Sequence, residues 1–407
     1  MGLGGVTVMH YNSKYGIMII KRINRCVCAL WLIFGCQERA HENREIAMGN
    51  PTTVEINAEK IVNLEISKIA TEMNYVFLSN DHPESLIGDI NKLVMHGDKF
   101  FLMDKEHTQS IFVFDTSGQF VYRIGPGKGP GEFTSIEDFC IDTENNMLYV
   151  LSNDLSEIFK YNMVTGGFVS SIKMKSAYDK LQVITSNKIL LLRDGHSYES
   201  SPGPFSSNFM CTIDSLGNWI EGWHLSPINP NVYSGLIHVV GNGERDGYTI
   251  TRMHSDTIYQ YDGADMEVKY LLDCGPKRLL DEFYWTSSSK RQGEIMNQST
   301  HFLGNVIDIR NFSLIQYVHN RRYYTYYYDK TAKEGFTVNY VNDIDHVPIL
   351  QFDCALDSLL VHVMQPQEIE LQRNYIVKSG IESKKMQEIA GRIDYDSNPV
   401  LMIATLR

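Results

Sequence analysis

One pattern recurs along most of the chain and constrains its fold more than any other feature. An apolar run is followed by a polar turn, a strand that ends in an aromatic residue plus Asp or Asn, another turn and another strand. Clear copies are FFLMDKEHTQSIFVFDTSGQFVYRIG from Phe100, MLYVLSNDLSEIFKYNMVTGGFVSSI from Met147 and YTITRMHSDTIYQYDGADMEVKYLL from Tyr248. Each supplies three turn-linked strands, most of one small antiparallel sheet. Such a sheet cannot bury both faces alone, so the copies must stack around an axis. The expected fold is all-β: a β-propeller of four-stranded antiparallel blades.

Further copies start at Asn187, where a Ser/Gly/Pro-rich insertion separates the strands, at Phe312 and at Ser358. Six units result, at about 55 residues each if the first starts near Tyr75. In the last unit QEIELQRNYIVKSGIESKKMQEIAGRI has the apolar spacing and Glu/Lys content of one or two helices, and the chain then ends in a strand, NPVLMIATLR. Because closure removes exposed edges, the terminal strands YVFLS and PVLMIATL are expected to complete the first and last blades. A repeat architecture also suits the length: 407 residues exceed what one core holds, whereas each blade interface builds its own.

A formal charge of -12, with no Lys/Arg cluster beyond short pairs, argues against a phosphate-binding surface and so against nucleic acid as a partner. The amino terminus reads as a targeting segment: Lys21, Arg22 and Arg25, then the apolar run Cys26 to Phe34, then Gly35-Cys36. At about nine residues the run is too short to span a bilayer, which takes about 20. The stretch IFGC resembles a bacterial lipobox, in which cleavage leaves an acylated amino-terminal Cys36; the alternative is an ordinary secretory signal with an incidental Cys. A start at Met18 would give a conventional signal length. The expected division is a signal peptide with lipobox over 1–36, a flexible tether and lead-in over 37–70 that holds the domain off the membrane, and the propeller over 71–407. Cys140, Cys211, Cys274 and Cys354 are widely spaced without C-x-x-C and read as buried free thiols, with Cys140 and Cys354 just before the turns that lead into inner strands.

RIGPGKGPGEFTSIEDFCID from Arg123, ESLIGDINKLVMHGDKFFLMD early in the chain, the helical insert in the last blade and the terminal NPVLMI together carry a resemblance. The chain resembles the six-bladed β-propeller lipoproteins of Bacteroides-type bacteria, related in architecture to NHL-repeat and TolB-like propellers. The resemblance covers nearly everything after the tether, and it implies a lipid-anchored protein of the cell envelope in a group whose members generally lack an assigned activity. The additional Pro126 and the insertion in the fourth unit depart from the pattern.

The GPGKGPGEF loop is not a phosphate cradle: Lys128 precedes Gly129 rather than Ser or Thr, and β-like sequence follows where a helix would be needed. It reads either as a Gly/Pro turn held between two blades or as part of a ligand site at the channel mouth, with Arg123, Lys128 and Glu132 as the candidate ligand-binding residues. In RRYYTYYYD, Tyr324, Tyr326 and Tyr328 share one strand face with Arg322, while Tyr323 and Tyr327 share the other, as packing between neighbours requires; a sugar-stacking platform is the alternative. Trp219, Trp223 and Trp285 lie nearer turns, where a ring could stack on a carbohydrate. No catalytic motif is present: there is no H-E-x-x-H, G-x-S-x-G or EF-hand loop. Asp104, Asn153, Asp194 and His254 hold comparable places after inner strands and either cap turns or form a ring for Ca²⁺ in the channel; no other cofactor or metal is expected. The expected function is a non-catalytic binding or scaffold module of the cell envelope, facing periplasm or cell surface from the outer membrane, for a glycan, a peptide or an envelope protein. The alternative is a metal-dependent hydrolase or lyase with its site in the central channel, as in NHL-like and lactonase-like propellers.

Overall fold

A computed structural model describes residues 42–193, 209–224, 237–241, 247–379 and 383–407. Met18, Cys36 and the rest of the targeting segment lie outside these residues, as does Asp194. Four strands come first: β1 (Glu42–Arg44), β2 (Thr52–Glu55), β3 (Ile61–Glu65) and β4 (Ala70–Phe77). Blade 1 follows as β5 (Lys92–His96), β6 (Lys99–Asp104), β7 (Ser110–Asp115) and β8 (Phe120–Ile124). Blade 2 is β9 (Asp138–Asp142), β10 (Met147–Ser152), β11 (Glu157–Asn162) and β12 (Phe168–Lys173). Blade 3 is β13 (Lys180–Thr185), β14 (Lys188–Leu192), β15 (Met210–Ile213) and β16 (Trp219–Trp223). Blade 4 is β17 (Ile237–Gly241), β18 (Tyr248–Arg252), β19 (Thr257–Tyr261) and β20 (Met266–Asp273). After a helix, α1 (Ser289–Gln298), blade 5 is β21 (Thr300–Asp308), β22 (Phe312–His319), β23 (Arg322–Asp329) and β24 (Glu334–Val341). Blade 6 contains β25 (Cys354–Leu356), β26 (Leu359–Met364) and, beyond the helices α2 (Pro366–Ser379) and α3 (Lys384–Arg392), β27 (Val400–Leu406). The first strands pack side by side in the order β9, β13, β17, β21, β25, β5, so these strands surround the axis. This is the six-bladed propeller with a helical insert that the repeats predict.

Period-2 alternation explains how blades adhere. In β6, Phe100 and Leu102 join a cluster with Val361, Leu401 and Ile403 of blade 6, whereas Phe101 and Met103 join one with Phe139, Leu148 and Val150 of blade 2. Among the described residues, six such clusters fill the six interfaces between successive blades. The tyrosine-rich strand β23 follows the same rule: Tyr326 and Tyr328 are buried towards blade 4, while Tyr327 stacks between Phe312 and Phe336, with ring centroids 5.0 and 5.4 Å away, and packs into the core shared with blade 6. Helix α3 begins where the Ser383 hydroxyl accepts the Met386 N–H at 3.0 Å, and it buries Met386 and Ile389, three residues apart, into that core.

Two expectations require correction. The strand at Tyr75–Phe77 does not complete the first blade: it belongs to β4, which pairs antiparallel with β27 and is the outermost strand of blade 6. Both chain ends therefore build the same blade, and the ring closes by main-chain hydrogen bonds between them. The second correction concerns residues 43–65, expected as a free tether. They are strung along the outer edges of three blades, with β1 beside β16 on blade 3, β2 parallel to β20 on blade 4, and β3 parallel to β24 on blade 5. Val54 and Leu64 are buried under this strap, Ala47 exchanges main-chain hydrogen bonds with Met266 and Val268 at 2.9 Å each, and the Ser67 hydroxyl donates to Asp343 at 2.6 Å. Among the described residues blades 1 and 2 carry no such strand, so β8 and β12 are sheet edges there.

Candidate functional site

The first strands of all six blades, with flanking residues, enclose an axial cavity of about 530 Å³. Lys92, Lys105, Glu106, Lys180, Asp353 and Asp357 supply its charged lining. A register coincidence sets Asp138 beside two of them: Lys92, Asp138 and Lys180 respectively open the first strands of blades 1, 2 and 3. Asp138 is buried; one carboxylate oxygen accepts from Lys92 Nζ at 2.8 Å and the other from the Leu181 N–H at 3.1 Å. Lys92 Nζ also donates to the Phe139 carbonyl at 2.6 Å. Lys105, in the turn after β6, reaches Glu137 at 2.6 Å; burial works against its charge, but the hydrogen bond and attraction to Glu137 hold its pKa above the ordinary lysine value. Lys180 differs, since among the described residues its nearest carboxylate oxygen is that of Asp138 at 3.9 Å. Burial pulls its ammonium below the ordinary value, Asp138 opposes this, and Lys92 and Lys105 add to the depression. A cation held this way gains from a ligand oxygen.

On the opposite wall, Asp353 is the cavity-facing end of a buried relay. Its Oδ2 lies 2.8 Å from His362 Nδ1, and His362 Nε2 lies 2.9 Å from Glu368 Oε1 in the first turn of α2. Burial disfavours the imidazolium, yet the bonds to both carboxylates outweigh it and raise His362 to about 9. Gln372 Nε2 donates to Glu368 at 2.7 Å, and Gln351 Nε2 to Asp353 at 2.9 Å. The helical insert is thereby tied to the cavity wall through one charged histidine.

A second cavity, about 270 Å³, lies between blades 4 and 5 beneath the segment that carries Leu279 and Tyr284. His254 and His301 line it with ring centroids 5.1 Å apart; burial, with His301 adding to it, lowers His254 to about 3, and burial lowers His301 to about 4. Both rings are neutral at pH 7. His254 Nδ1 is buried and has no hydrogen-bond partner among the described residues, while His301 Nδ1 is 3.1 Å from the Ser299 hydroxyl. Cys274 also lines this cavity, its thiol pushed up to about 12 by burial.

Arg123, Lys128 and Glu132 line neither cavity. Arg123 Nε donates to the Ser110 hydroxyl at 2.9 Å beneath the outer strand β8, and its guanidinium lies over the Phe112 ring. Lys128 is exposed. Glu132 accepts the Gly129 N–H at 2.5 Å, and Gly131, in the left-handed region, is wedged where a Cβ would fall 2.3 Å from the Phe168 ring. These contacts are those of a turn held between two blades. Asp104 accepts from the Gly88 and His107 N–H groups and the Thr108 hydroxyl, and Asn153 exchanges two hydrogen bonds with Tyr178, so both fasten turns. His254 sits in the second cavity, and among the described residues no group of three His, Cys, Asp or Glu side chains could hold a metal ion. Trp219 and Trp223, placed near turns by the sequence, are buried in the cores beside β16, whereas Trp285 is 71% exposed. Cys140 and Cys354 do lie shortly before turns, but within β9 and β25, which are themselves the innermost strands and where both line the axial cavity; Cys140 and Cys211 are buried and Cys274 and Cys354 half-buried, all four as free thiols. The lysine pair and the His362 relay escaped the sequence reading. For the lysines a signal existed: a charge at the first position of successive inner strands.

The architecture is that of a six-bladed β-propeller with a ligand-sized axial cavity. Residues 51–405 match the model of a family described as a domain of unknown function, DUF4934, and the chain belongs to that family. No curated protein matches it. Its fold is similar to that of a Bacteroides fragilis NCTC 9343 protein given the provisional name of an exported protein, with TM-score 0.67 at 16% identity over 88% of this chain and 99% of that one. A member of the DUF4221 family from Bacteroides vulgatus ATCC 8482 is matched with TM-score 0.49 at 11% identity over 83% of this chain and 97% of that one. At these identities the first likeness speaks to the fold alone, and the second carries no argument.

Proposed function

We propose that this chain is an exported, lipid-anchored β-propeller of the cell envelope, held to the outer membrane through Cys36, and that it is a non-catalytic binding module whose ligand sits in the axial cavity. The observation that carries the binding role is the cavity itself: about 530 Å³, walled by all six blades, within the range of small-ligand sites. Lys180 on one wall and Asp353 on the other give it a cation and an anion with which to orient a polar ligand such as an oligosaccharide or a peptide end. Export and anchoring rest on the basic, apolar and Gly-Cys succession of residues 21–36. The binding role is tested by a thermal-shift screen of glycans and peptides against the soluble chain starting after Cys36. A ligand at a hundredfold excess over Kd stabilises the native state by about 2.7 kcal/mol, and the shift should disappear in Lys180→Met while the unliganded melting temperature is retained. Shifts that survive Lys180→Met and Asp353→Asn alike would reject the cavity as the seat.

A further inference from the structure

The strap shortens the leash on which an acylated Cys36 would hold the propeller. Eight Cα–Cα steps separate Cys36 from Arg44, so the two α-carbons are never more than about 28 Å apart. Arg44 is itself fixed to the rim of the ring, with its guanidinium 2.9 Å from Glu221 of blade 3 and 2.9 Å from Asp265 of blade 4. A free tether through residue 70 would instead have allowed about 110 Å.

Next to this pinning point the rim is apolar. Blade 2 is the first blade beyond the end of the strap, and its uncovered edge strand β12 exposes Phe168 by 44% and Val169 by 49%. The adjoining turns expose Val164 by 60% and Leu216 by 79%. These side chains belong to one surface, because the turn that carries Leu216 packs on β12: a Cβ on Gly217 would fall 2.3 Å from the Lys173 carbonyl. Lys173 and Lys175 are exposed at the end of the same strand, Lys173 bridging Glu157. Apolar side chains bordered by lysines suit the boundary between headgroups and acyl chains, and such a surface adds its own buried area and charge attraction to the hold of a lipid anchor.

We propose that the outer rim at blades 2 and 3 docks on the same bilayer that holds the Cys36 lipid, seating Phe168, Val169 and Leu216 at the headgroup boundary. This rests on the lipid-anchor reading above. The strap fixes which rim can reach the membrane, and the exposed patch lies on that rim.

The test uses the full-length acylated protein in vesicles of phosphatidylethanolamine and phosphatidylglycerol that contain a doxyl-labelled lipid. A bimane fluorophore is placed at Val169→Cys, at Leu216→Cys or, on the hairpin of blade 5, at Lys333→Cys, with the unsubstituted protein as the blank. Quenching at the first two positions should exceed that at Lys333→Cys by about threefold or more, and Phe168→Asp should lower it at Leu216→Cys while the protein stays vesicle-bound. Mass measurement of the amino-terminal peptide reads the anchor separately. Acylated Cys36 with equal quenching at all three positions would overturn the docking and leave the anchor standing. An unmodified Cys36 would overturn both.

Discussion

His362 shows how much one side chain can couple in this protein. Its imidazolium joins the cavity wall at Asp353 to the first turn of α2 at Glu368, and with its folded pKa raised to about 9 it is charged at neutral pH. A raised pKa means that folding favours the protonated form, so the stabilisation is fully present below the unfolded value near 6.5 and is lost as pH rises through about 9. The difference corresponds to on the order of 3 kcal/mol. His254 and His301 act in the opposite sense: held neutral, with folded values of about 3 and 4, they give stability that is present above pH 6.5 and lost as pH falls towards those values. The melting temperature should therefore peak near neutral pH. His362→Gln should flatten the alkaline limb and leave the acid limb, and His362→Ala should lose on the order of 3 kcal/mol at pH 7 by leaving two half-buried carboxylates without their cation. An alkaline limb unchanged in His362→Gln would exclude the relay as its source. No sequence motif announces this site, because Asp353 precedes His362 by nine residues and Glu368 follows by six on a different element. Lys92, Asp138 and Lys180 are equally scattered, one per blade, and only the stacking of three successive blades brings them together.

At the scale of elements, the strap is where structure and sequence diverge most. Its strands are three to five residues long, and β2 and β3 bury one large apolar side chain each, Val54 and Leu64, among residues that stay exposed or half-buried. The pairing is carried by main-chain groups of β20 and β24, which leave no compositional trace. A polar stretch that hydrogen-bonds along a sheet edge reads like a linker. The blades were legible for the converse reason: their second and third strands are buried on both faces and stand out as apolar runs, as in SIFVFD of β7. The strap has a measurable weight. Leu64→Ala should cost about 2–5 kcal/mol as a core truncation, read by denaturant unfolding, whereas exposed Asn63→Ala should stay within about 0.5 kcal/mol. A small effect at Leu64 would mean that the strap peels off before the ring unfolds. The hairpin between β7 and β8 gives a sharper case: Gly118 has φ +87° and approaches Phe77 so closely that a Cβ would fall 2.1 Å from its carbonyl oxygen. Phe77 ends β4, the strand that closes blade 6, so Gly118→Ala should strain both its own turn and the closure. It should lower the melting temperature by more than Gly97→Ala, where φ is also positive but no atom lies within 4 Å of the added Cβ.

For the whole molecule the decisive contact is the pairing of β4 with β27, since it joins the last strand of the chain to an early one within a single blade. Six interblade cores stabilise the ring only while each blade has two neighbours; opening one interface exposes its cluster to water and leaves edge strands free to associate. The strap and the closure strand are consecutive in the chain but have different consequences, and truncation separates them. A chain that starts at Ile69 keeps β4 and loses β1, β2 and β3. It should fold as a monomer with a lowered melting temperature, since blades 3, 4 and 5 revert to the four strands with which blades 1 and 2 are already stable. A chain that starts at Leu78 lacks the partner of β27, leaving Val400–Leu406 as the unpaired outer edge of blade 6. It should aggregate or lose its near-ultraviolet dichroism, and removal of Val400–Arg407 should do the same, because the two strands are halves of one closure. Size-exclusion chromatography of the three truncations distinguishes the roles: if the chain from Leu78 stays monomeric and binds cavity ligands as the intact protein does, closure depends on the interblade cores rather than on the shared blade. The asymmetry expected here, a dispensable strap followed by an indispensable strand, follows from position alone, since β2 and β3 lie outside complete blades whereas β4 is the fourth strand of its own.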